Sequence, residues 1–231
     1  MLCFLAPEKA ELQYLINHST VNSQTPLALG MLYNLTYQNV TYLALQTAYG
    51  KVNIARILTR MEQGSTVTAL IALGTAGTLI RECDMIHTVA LSTAVFQYDV
   101  NFTALGDAPY LLPGMPSGLY PSGPELLELA RRAAEYAGVR HELGVMASAD
   151  RFLACDETAA RLRGCQRAIA VDAEAGAAAQ WALLNVLPFV AVKGIADHAG
   201  ACAPEEYERH HCQAAEMAQR VALQMILLSA G

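Results

Sequence analysis

An unbroken apolar segment, "TVTALIALGTAG", occupies residues 66–77 and ends in a Gly-Thr-Ala-Gly turn. A strand that faces water on one side alternates apolar and polar residues, whereas a strand that helices cover on both faces is apolar throughout. The segment therefore predicts a central strand that is covered on both faces. Strands of this kind are typical of parallel sheets in α/β proteins.

Strand-like and helix-like segments alternate along the rest of the chain. "LCFLA" predicts a first strand, and residues 8–17 have the apolar spacing of a helix. The runs 27–35 and 40–48, joined by "TYQN", predict a hairpin. Further helices are predicted at 49–64, 124–138, 156–164, 175–185 and 205–229, further strands at 85–95, 141–148, 168–171 and 188–195, and a long loop at 106–123. The alternation predicts an α/β fold, a three-layer α/β/α sandwich with a central mixed, mostly parallel sheet.

Composition and charge limit the organisation of the chain and its partners. No linker rich in proline, glycine or serine divides the 231 residues, so we expect one domain over residues 1–231. The net charge is −6 and lysine and arginine form no block, which argues against a nucleic-acid partner. No apolar stretch has membrane-spanning length, and "MLCFLA" is too short for a secretory leader. We therefore expect a cytoplasmic protein with no membrane partner, whose six cysteines are reduced thiols.

Short polar clusters follow the predicted strands, at residues 74–77, 148–150, 172–174 and 196–198. If those strands are parallel, their carboxyl ends lie at one edge of the sheet and the clusters meet there. The sequence therefore predicts an active-site rim at this edge.

Asp172 and Glu174 are two carboxylates in otherwise apolar surroundings. A buried carboxylate is costly unless it is paired or hydrogen-bonded, so the pair suggests a ligand. The start of the following alanine-rich helix is the alternative, because free N–H groups there attract acids. Alternate residues of an extended segment face opposite sides, so we expect Glu174 to bind and Asp172 to be a supporting or solvated neighbour.

Common cofactor and metal motifs are missing from the sequence. "GTAGTL" lacks the GxGxxG spacing of dinucleotide-binding folds, and neither GxxxxGK[ST] nor GxSxG occurs. Metal-ligand types lie near the carboxyl end, at Cys202, His210, His211 and Cys212. Their spacing fits no common zinc pattern, and neighbours on one helix point to different sides. We therefore expect no metal and no organic cofactor.

Five segments, in order and at matching separations, resemble the 5′-methylthioadenosine/S-adenosylhomocysteine nucleosidases of the wider purine nucleoside phosphorylase family. They are "GTAG", "LPGMPSG", "SADRF", "VDAEA" and "KGIADHAG", and the similarity spans nearly the whole chain. The resemblance implies the fold of that family and hydrolysis of the N-glycosidic bond of 5′-substituted adenine nucleosides, with release of adenine. The implied substrates are methylthioadenosine, S-adenosylhomocysteine and 5′-deoxyadenosine.

The resemblance assigns catalytic roles to three carboxylates. Asp197 matches the acid that protonates purine N7, Glu174 the residue that holds the ribose 2′ and 3′ hydroxyls, and Glu11 the acid that orients and deprotonates the attacking water. These groups act on charge that develops in the transition state. An unperturbed Asp has a pKa of about 3.9, so this role requires a raised pKa at Asp197. Glu11 and Glu174 are expected to be ionised.

The resemblance also implies residues that contact the substrate. Thr75 replaces a family serine beside the water, the Phe152 ring stacks on the base, and the Leu153 backbone bonds the edge of the base. Pro113, in the loop at 106–123, is implied to reach the neighbouring site in a homodimer. A rigid surface turn is the alternative for that loop.

Four further positions depart from the family pattern. Ala173 stands where a methionine packs against the sugar, and Glu8 where a methionine lines the 5′ group. Lys193 replaces an arginine near the water, and Ala196 replaces a serine before the catalytic Asp. These changes predict a roomier and more polar subsite for the 5′ substituent. Aminodeoxyfutalosine is therefore an alternative substrate, and a nucleoside-binding protein without turnover is an alternative function.

The choice between water and phosphate depends on cationic residues. A phosphorylase has to bind a dianion, typically with arginines. The loop after the first strand offers only Lys9, and residues 66–77 include no base. Hydrolysis is therefore favoured, while Lys51, at a helix start, leaves purine nucleoside phosphorylase as an alternative.

Overall fold

The computed structural model describes residues 1–62 and 66–230. Its strands are β1 (Leu2–Ala6), β2 (Thr20–Leu27), β3 (Gly30–Tyr37), β4 (Val40–Gln46), β5 (Ala69–Thr78), β6 (Val89–Gln97), β7 (Leu119–Pro121), β8 (His141–Ser148), β9 (Ala168–Asp172) and β10 (Phe189–Asp197). Its helices are α1 (Ala10–Asn17), α2 (Lys51–Glu62), α3 (Pro124–Tyr136), α4 (Asp156–Gln166), α5 (Ala175–Leu184) and α6 (Ala203–Leu228). The predicted end of α2 at Gly64 lies outside the described residues.

The strands form one mixed sheet. Parallel pairings join β1 to β4 and β5, β10 to β5, and β8 to β6 and β9. Antiparallel pairings join β10 to β6, β2 to β3, β3 to β4, β5 to β9 and β6 to β7. The sheet is therefore mixed, as predicted, but a predominance of parallel pairs is not confirmed. The pairings also close a ring of strands, in the order β5, β9, β8, β6 and β10.

Helices pack against both faces of the central strands. On β5, Leu70 and Ala72 belong to one apolar cluster together with α2 and α5. Ile71 and Leu73 belong to a second cluster together with α1, α3 and α6. Every residue of β5 is buried, because neither face meets water. The prediction of a doubly covered central strand is thus confirmed.

Two strands were not predicted. β2 pairs with β3, but it is exposed along almost its entire length and shows no apolar alternation. The predicted strand at 27–35 in fact spans the turn between β2 and β3, where Leu29 has φ +68°. β7 lies inside the segment predicted as a loop, where it pairs with β6. Neither strand shows the burial pattern by which strands are recognised in sequences.

No described helix is both long enough and apolar enough to cross a membrane.

Candidate functional site

A cavity of about 950 Å³ opens where several strands end, and residues from all four polar clusters line it. The sheet is mixed, so the convergence has a different origin from the one predicted. Gly77 near the end of β5 pairs antiparallel with Val171 near the end of β9, and Ser148 at the end of β8 pairs with Asp172. The carboxyl ends of these strands therefore meet although β5 and β9 run in opposite directions.

Glu11 lies in the first turn of α1 and is buried behind the cavity wall. Its Oε1 accepts hydrogen bonds from the backbone N–H of Thr75, at 2.8 Å, and from the Thr75 hydroxyl, at 3.0 Å. Its Oε2 accepts one from the N–H of Glu8, at 3.2 Å. Gly74 has φ +136°, and a Cβ there would come within 2.6 Å of Glu11 Oε1. The glycine therefore allows the carboxylate to approach the end of β5.

A buried glutamine on α6 fixes the position of α1. The Gln219 side-chain oxygen accepts hydrogen bonds from the N–H groups of Tyr14, at 2.7 Å, and Leu15, at 3.2 Å. Its amide donates to the carbonyl of Ala10 at 3.3 Å. α1 has only eight residues, and a helix this short is marginal without tertiary support. Gln219 thus holds the helix that carries Glu11.

Lys193 pairs with Asp172, the last residue of β9, and with Glu174, which lies between β9 and α5. Its ammonium is fully buried and donates to Glu174 Oε1 and to the carbonyl of Leu73, and it lies 3.2 Å from Asp172 Oδ2. Asp172 also accepts from the N–H of Ala175 at the start of α5. Asp172 is therefore a buried supporting residue, and the alternative that it is solvated was wrong.

The charges of this cluster do not balance, because three carboxyls (Glu11, Asp172 and Glu174) surround one ammonium. Burial raises the pKa of Glu174 to about 8, although the charge of Lys193 acts to lower it. Burial also raises the pKa of Glu11, against the effect of Lys193 and of the hydrogen bonds from Glu8 and Thr75. Burial disfavours the charged form of Lys193, but the nearby carboxylates raise its pKa above the ordinary value. Lys193 therefore stays charged, and the expectation that Glu11 and Glu174 are both ionised is not supported.

Asp197 ends β10 and is buried at the cavity wall beside Gly77. Its Oδ1 accepts a hydrogen bond from the N–H of Ala199 at 2.8 Å. Within the described residues, Oδ2 has no hydrogen-bond partner. Burial raises the pKa of Asp197 to about 6, although the Ala199 N–H acts to lower it. The predicted direction is confirmed, and the group titrates just below neutral pH.

The predicted substrate contacts divide into two groups. Thr75, Phe152, Leu153 and Ala173 line the cavity. The Phe152 ring is half-exposed and meets the ring of Tyr207 edge-on, with centroids 5.6 Å apart. Pro113 is exposed and does not line the cavity. Lys193 does not line the cavity but lies behind its wall, where it donates to Glu174.

Two tyrosines in the cavity wall were missed by sequence reasoning. The Tyr49 hydroxyl donates to Glu8 Oε1 at 2.9 Å, and the Tyr207 hydroxyl lies close to Tyr49 and Thr75. Burial, aided by nearby acids, raises the pKa of both phenols, that of Tyr207 to about 12, so they stay protonated. Tyr207 lies on α6, and it lines the cavity because of the way that helix packs, which its sequence does not reveal. In the part of the chain that the structure describes, no group of three or more His, Cys, Asp or Glu residues is arranged to hold a metal ion.

Comparison with known proteins identifies the family of this fold. The model of the phosphorylase superfamily matches residues 2–227. The chain belongs to this superfamily. Among its members, a 5′-methylthioadenosine/S-adenosylhomocysteine nucleosidase from Haemophilus ducreyi is 30% identical over 196 residues, which cover 84% of each chain. A nucleosidase of the same name from Halalkalibacterium halodurans is 30% identical over 187 residues, which cover 80% of each chain. The resemblance inferred from the motifs is therefore confirmed.

Solved structures of a nucleosidase and of a futalosine hydrolase share the fold. A nucleosidase from Neisseria meningitidis in complex with methylthio-immucillin-A has a TM-score of 0.92 at 24% identity and covers 97% of each chain. A futalosine hydrolase of Helicobacter pylori has a TM-score of 0.92 at 21% identity and covers 98% of this chain and 97% of that one. At these identities the likeness establishes the α/β fold alone.

Proposed function

We propose that this protein hydrolyses the N-glycosidic bond of 5′-substituted adenine nucleosides and releases adenine. Methylthioadenosine, S-adenosylhomocysteine and 5′-deoxyadenosine are the proposed substrates. The names of the two relatives that are 30% identical support this activity. The cavity supports it as well, because Asp197 and Glu174 line it and Glu11 lies directly behind Thr75.

Each proposed role follows from the charge that bond cleavage creates. The base gains negative charge as it leaves, so protonation of purine N7 by Asp197 stabilises the departing adenine. The sugar gains positive charge, which the ionised carboxyls of the acidic cluster, Glu11 among them, stabilise. Glu174 holds the ribose 2′ and 3′ hydroxyls, and Glu11 accepts the proton of the attacking water. A bound purine excludes water from Asp197, which raises its pKa further towards neutral pH.

The contact between Glu11 and Thr75 favours water over phosphate as the nucleophile. A phosphate at the end of β5 would need the N–H and the hydroxyl of Thr75 as donors, and both already bond Glu11 Oε1. A phosphate there would also lie next to the Glu11 carboxyl and close to the acids Asp172 and Glu174, which repel an anion. Lys51 was the residue that left phosphorolysis as an alternative. Its ammonium forms an ion pair with Asp99 at 2.5 Å. Purine nucleoside phosphorylase is therefore the less favoured candidate.

The remaining residues are assigned to binding. Phe152 stacks on the adenine, the Leu153 backbone bonds its edge, and Thr75 orients Glu11. Ala173 leaves space beside the sugar, and Lys193 supports Glu174. We further propose that residues 1–231 act as a single nucleosidase domain with a three-layer α/β/α architecture. In a cytoplasmic homodimer, Pro113 would reach the partner's site.

A nucleoside panel tests the activity. Purified protein is incubated with methylthioadenosine, S-adenosylhomocysteine, 5′-deoxyadenosine, aminodeoxyfutalosine and inosine, with and without phosphate, and free base is measured. We expect adenine release that does not depend on phosphate. Base release only with phosphate, together with a ribose 1-phosphate product, would establish phosphorolysis. Tight binding without base release would establish a nucleoside-binding protein instead, and a strong preference for aminodeoxyfutalosine would reassign the substrate.

The pH dependence of turnover follows from Asp197. The protonated acid is the active form, and its pKa of about 6 lies above the ordinary value. We therefore expect kcat/KM to fall as pH rises through about 6, by about tenfold for each further pH unit. Initial rates of adenine release at constant ionic strength, from pH 5 to 9, measure this limb. A rate that rises steadily over the same range would contradict the assignment of Asp197 as the acid.

A further inference from the structure

The cavity has a polar end beyond Glu11. Glu8 and Tyr49 both line the cavity, and the Tyr49 hydroxyl donates to Glu8 Oε1 at 2.9 Å. The Tyr207 hydroxyl lies close to that of Tyr49. Among the described residues, Glu8 Oε2 has no hydrogen-bond partner. A carboxylate and two phenols thus form a hydrogen-bonding wall, which we call the Glu8 wall.

The order of groups along the cavity places the Glu8 wall opposite the base. Asp197 packs against Gly77 and Glu11 against Gly74. These glycines are three residues apart on β5, roughly 10 Å in an extended chain. The Glu8 wall adjoins Glu11, because the N–H of Glu8 donates to Glu11 Oε2 and both tyrosines lie in the field of the Glu11 carboxyl. None of the three residues is among the groups that act on the Asp197 carboxyl. If Asp197 meets the purine and Glu11 the sugar, the Glu8 wall faces the 5′ substituent. This step rests on the proposed function.

The charge around the Glu8 wall is negative. Glu205 and Glu208, which flank Tyr207 on α6, also line the cavity. Of the described lining residues only Arg151 is basic, and it precedes the base-stacking Phe152. An apolar 5′ group would cover the free Glu8 oxygen and leave it without a partner, which is unfavourable. A carboxylate on the 5′ group would meet like charge.

We propose that the Glu8 wall selects adenine nucleosides whose 5′ substituent donates hydrogen bonds, above all a protonated amine. The ammonium donates to Glu8 Oε2 and lies within the field of Glu205 and Glu208. Charge-assisted hydrogen bonds are stronger than neutral ones, so the preference for an amine over an alkylthio group is about tenfold or more in affinity.

The test measures binding and turnover separately with three probes. These are 5′-amino-5′-deoxyadenosine, 5′-methylthioadenosine and 5′-S-carboxymethyl-5′-thioadenosine. Dissociation constants are measured calorimetrically at pH 7 on the Asp197→Asn variant, which keeps the cavity but lacks the proposed acid. The expected order of affinity is amine, then methylthio, then carboxylate. Adenine release by the unchanged protein is measured with the same probes.

Variants at Glu8 locate the source of the preference. In the Asp197→Asn background, Glu8→Gln keeps the shape but removes the charge, and we expect most of the amine preference to be lost. Glu8→Met is expected to favour the methylthio probe. Glu142→Gln, which removes an exposed acid on β8 away from the cavity, is the matched control and keeps the preference. Thermal unfolding verifies that each variant is folded.

The outcomes separate this inference from the proposed function. Equal or tighter binding of the methylthio probe, or an amine preference that survives both Glu8 variants, overturns the inference even if adenine is released. The expected binding order without adenine release from any probe supports the Glu8 wall and overturns the hydrolase. Absence of binding by every probe overturns both.

Discussion

Asp197→Asn is expected to lower kcat for adenine release by about 10²- to 10⁴-fold, the usual contribution of a positioned general acid. The amide cannot donate a proton to purine N7 with the acidity of a carboxylic acid. The fold should survive, because the Asn side-chain oxygen can still accept from the N–H of Ala199. The measurement is single-turnover release of adenine from methylthioadenosine, accompanied by a thermal melt of the variant.

The matched control for this substitution is Asp107→Asn, which makes the same chemical change in a loop outside the cavity lining. The control should turn over substrate as the unchanged protein does. If Asp197→Asn retained full activity while folded, another group would have to protonate the base, and the mechanism proposed above would fail.

Lys193→Met is expected to have the largest effect on stability. The substitution leaves Asp172 and Glu174 buried without their counter-charge, and breaking a buried ion pair typically costs about 3–5 kcal/mol. The loss should be largest at pH 8, where the carboxyls carry most charge. It should shrink at pH 5, because removal of the ammonium raises the pKa of Glu174 further and the carboxyl then takes up a proton at little cost. Urea unfolding at the two pH values measures both effects.

Lys51→Met provides the comparison for Lys193→Met. Lys51 also pairs with an acid, Asp99, but both side chains are partly exposed. A pair of this kind contributes about 0–1 kcal/mol. If the two lysine substitutions cost the same, or if the cost at Lys193 did not change with pH, the buried cluster would not be a charged one.

The predictability of the fold varies with burial. The alternation of β5 residues between two apolar clusters explains why its run of apolar residues could be recognised in the sequence. β2 has no buried face, so its residues carry no periodic signal, and its existence depends on pairing with β3. Which strands pair antiparallel was also beyond local patterns, because strand direction is decided by connections and not by composition.

The sequence indicated candidate residues for the site but not how they pair with one another. The family resemblance pointed to positions 11, 174 and 197, and the structure gathers them at one cavity and its wall. The partnership of Lys193 with Glu174 and Asp172 depends on the packing of β10 beside β5, which no single segment encodes. Tyr207 was missed because its place in the cavity wall also depends on tertiary packing, in this case that of α6.

The clamp formed by Gln219 couples two segments that are more than two hundred residues apart in the chain. During synthesis, α1 leaves the ribosome early, but the side chain that holds its N–H groups is added more than two hundred residues later. Before α6 docks, Glu11 has its hydrogen bonds from Thr75 and Glu8 but lacks the support that Gln219 gives to its helix. A chain that stops short of position 219 would lack this clamp, so we expect α1 to take its final position only after α6 has been made and has docked.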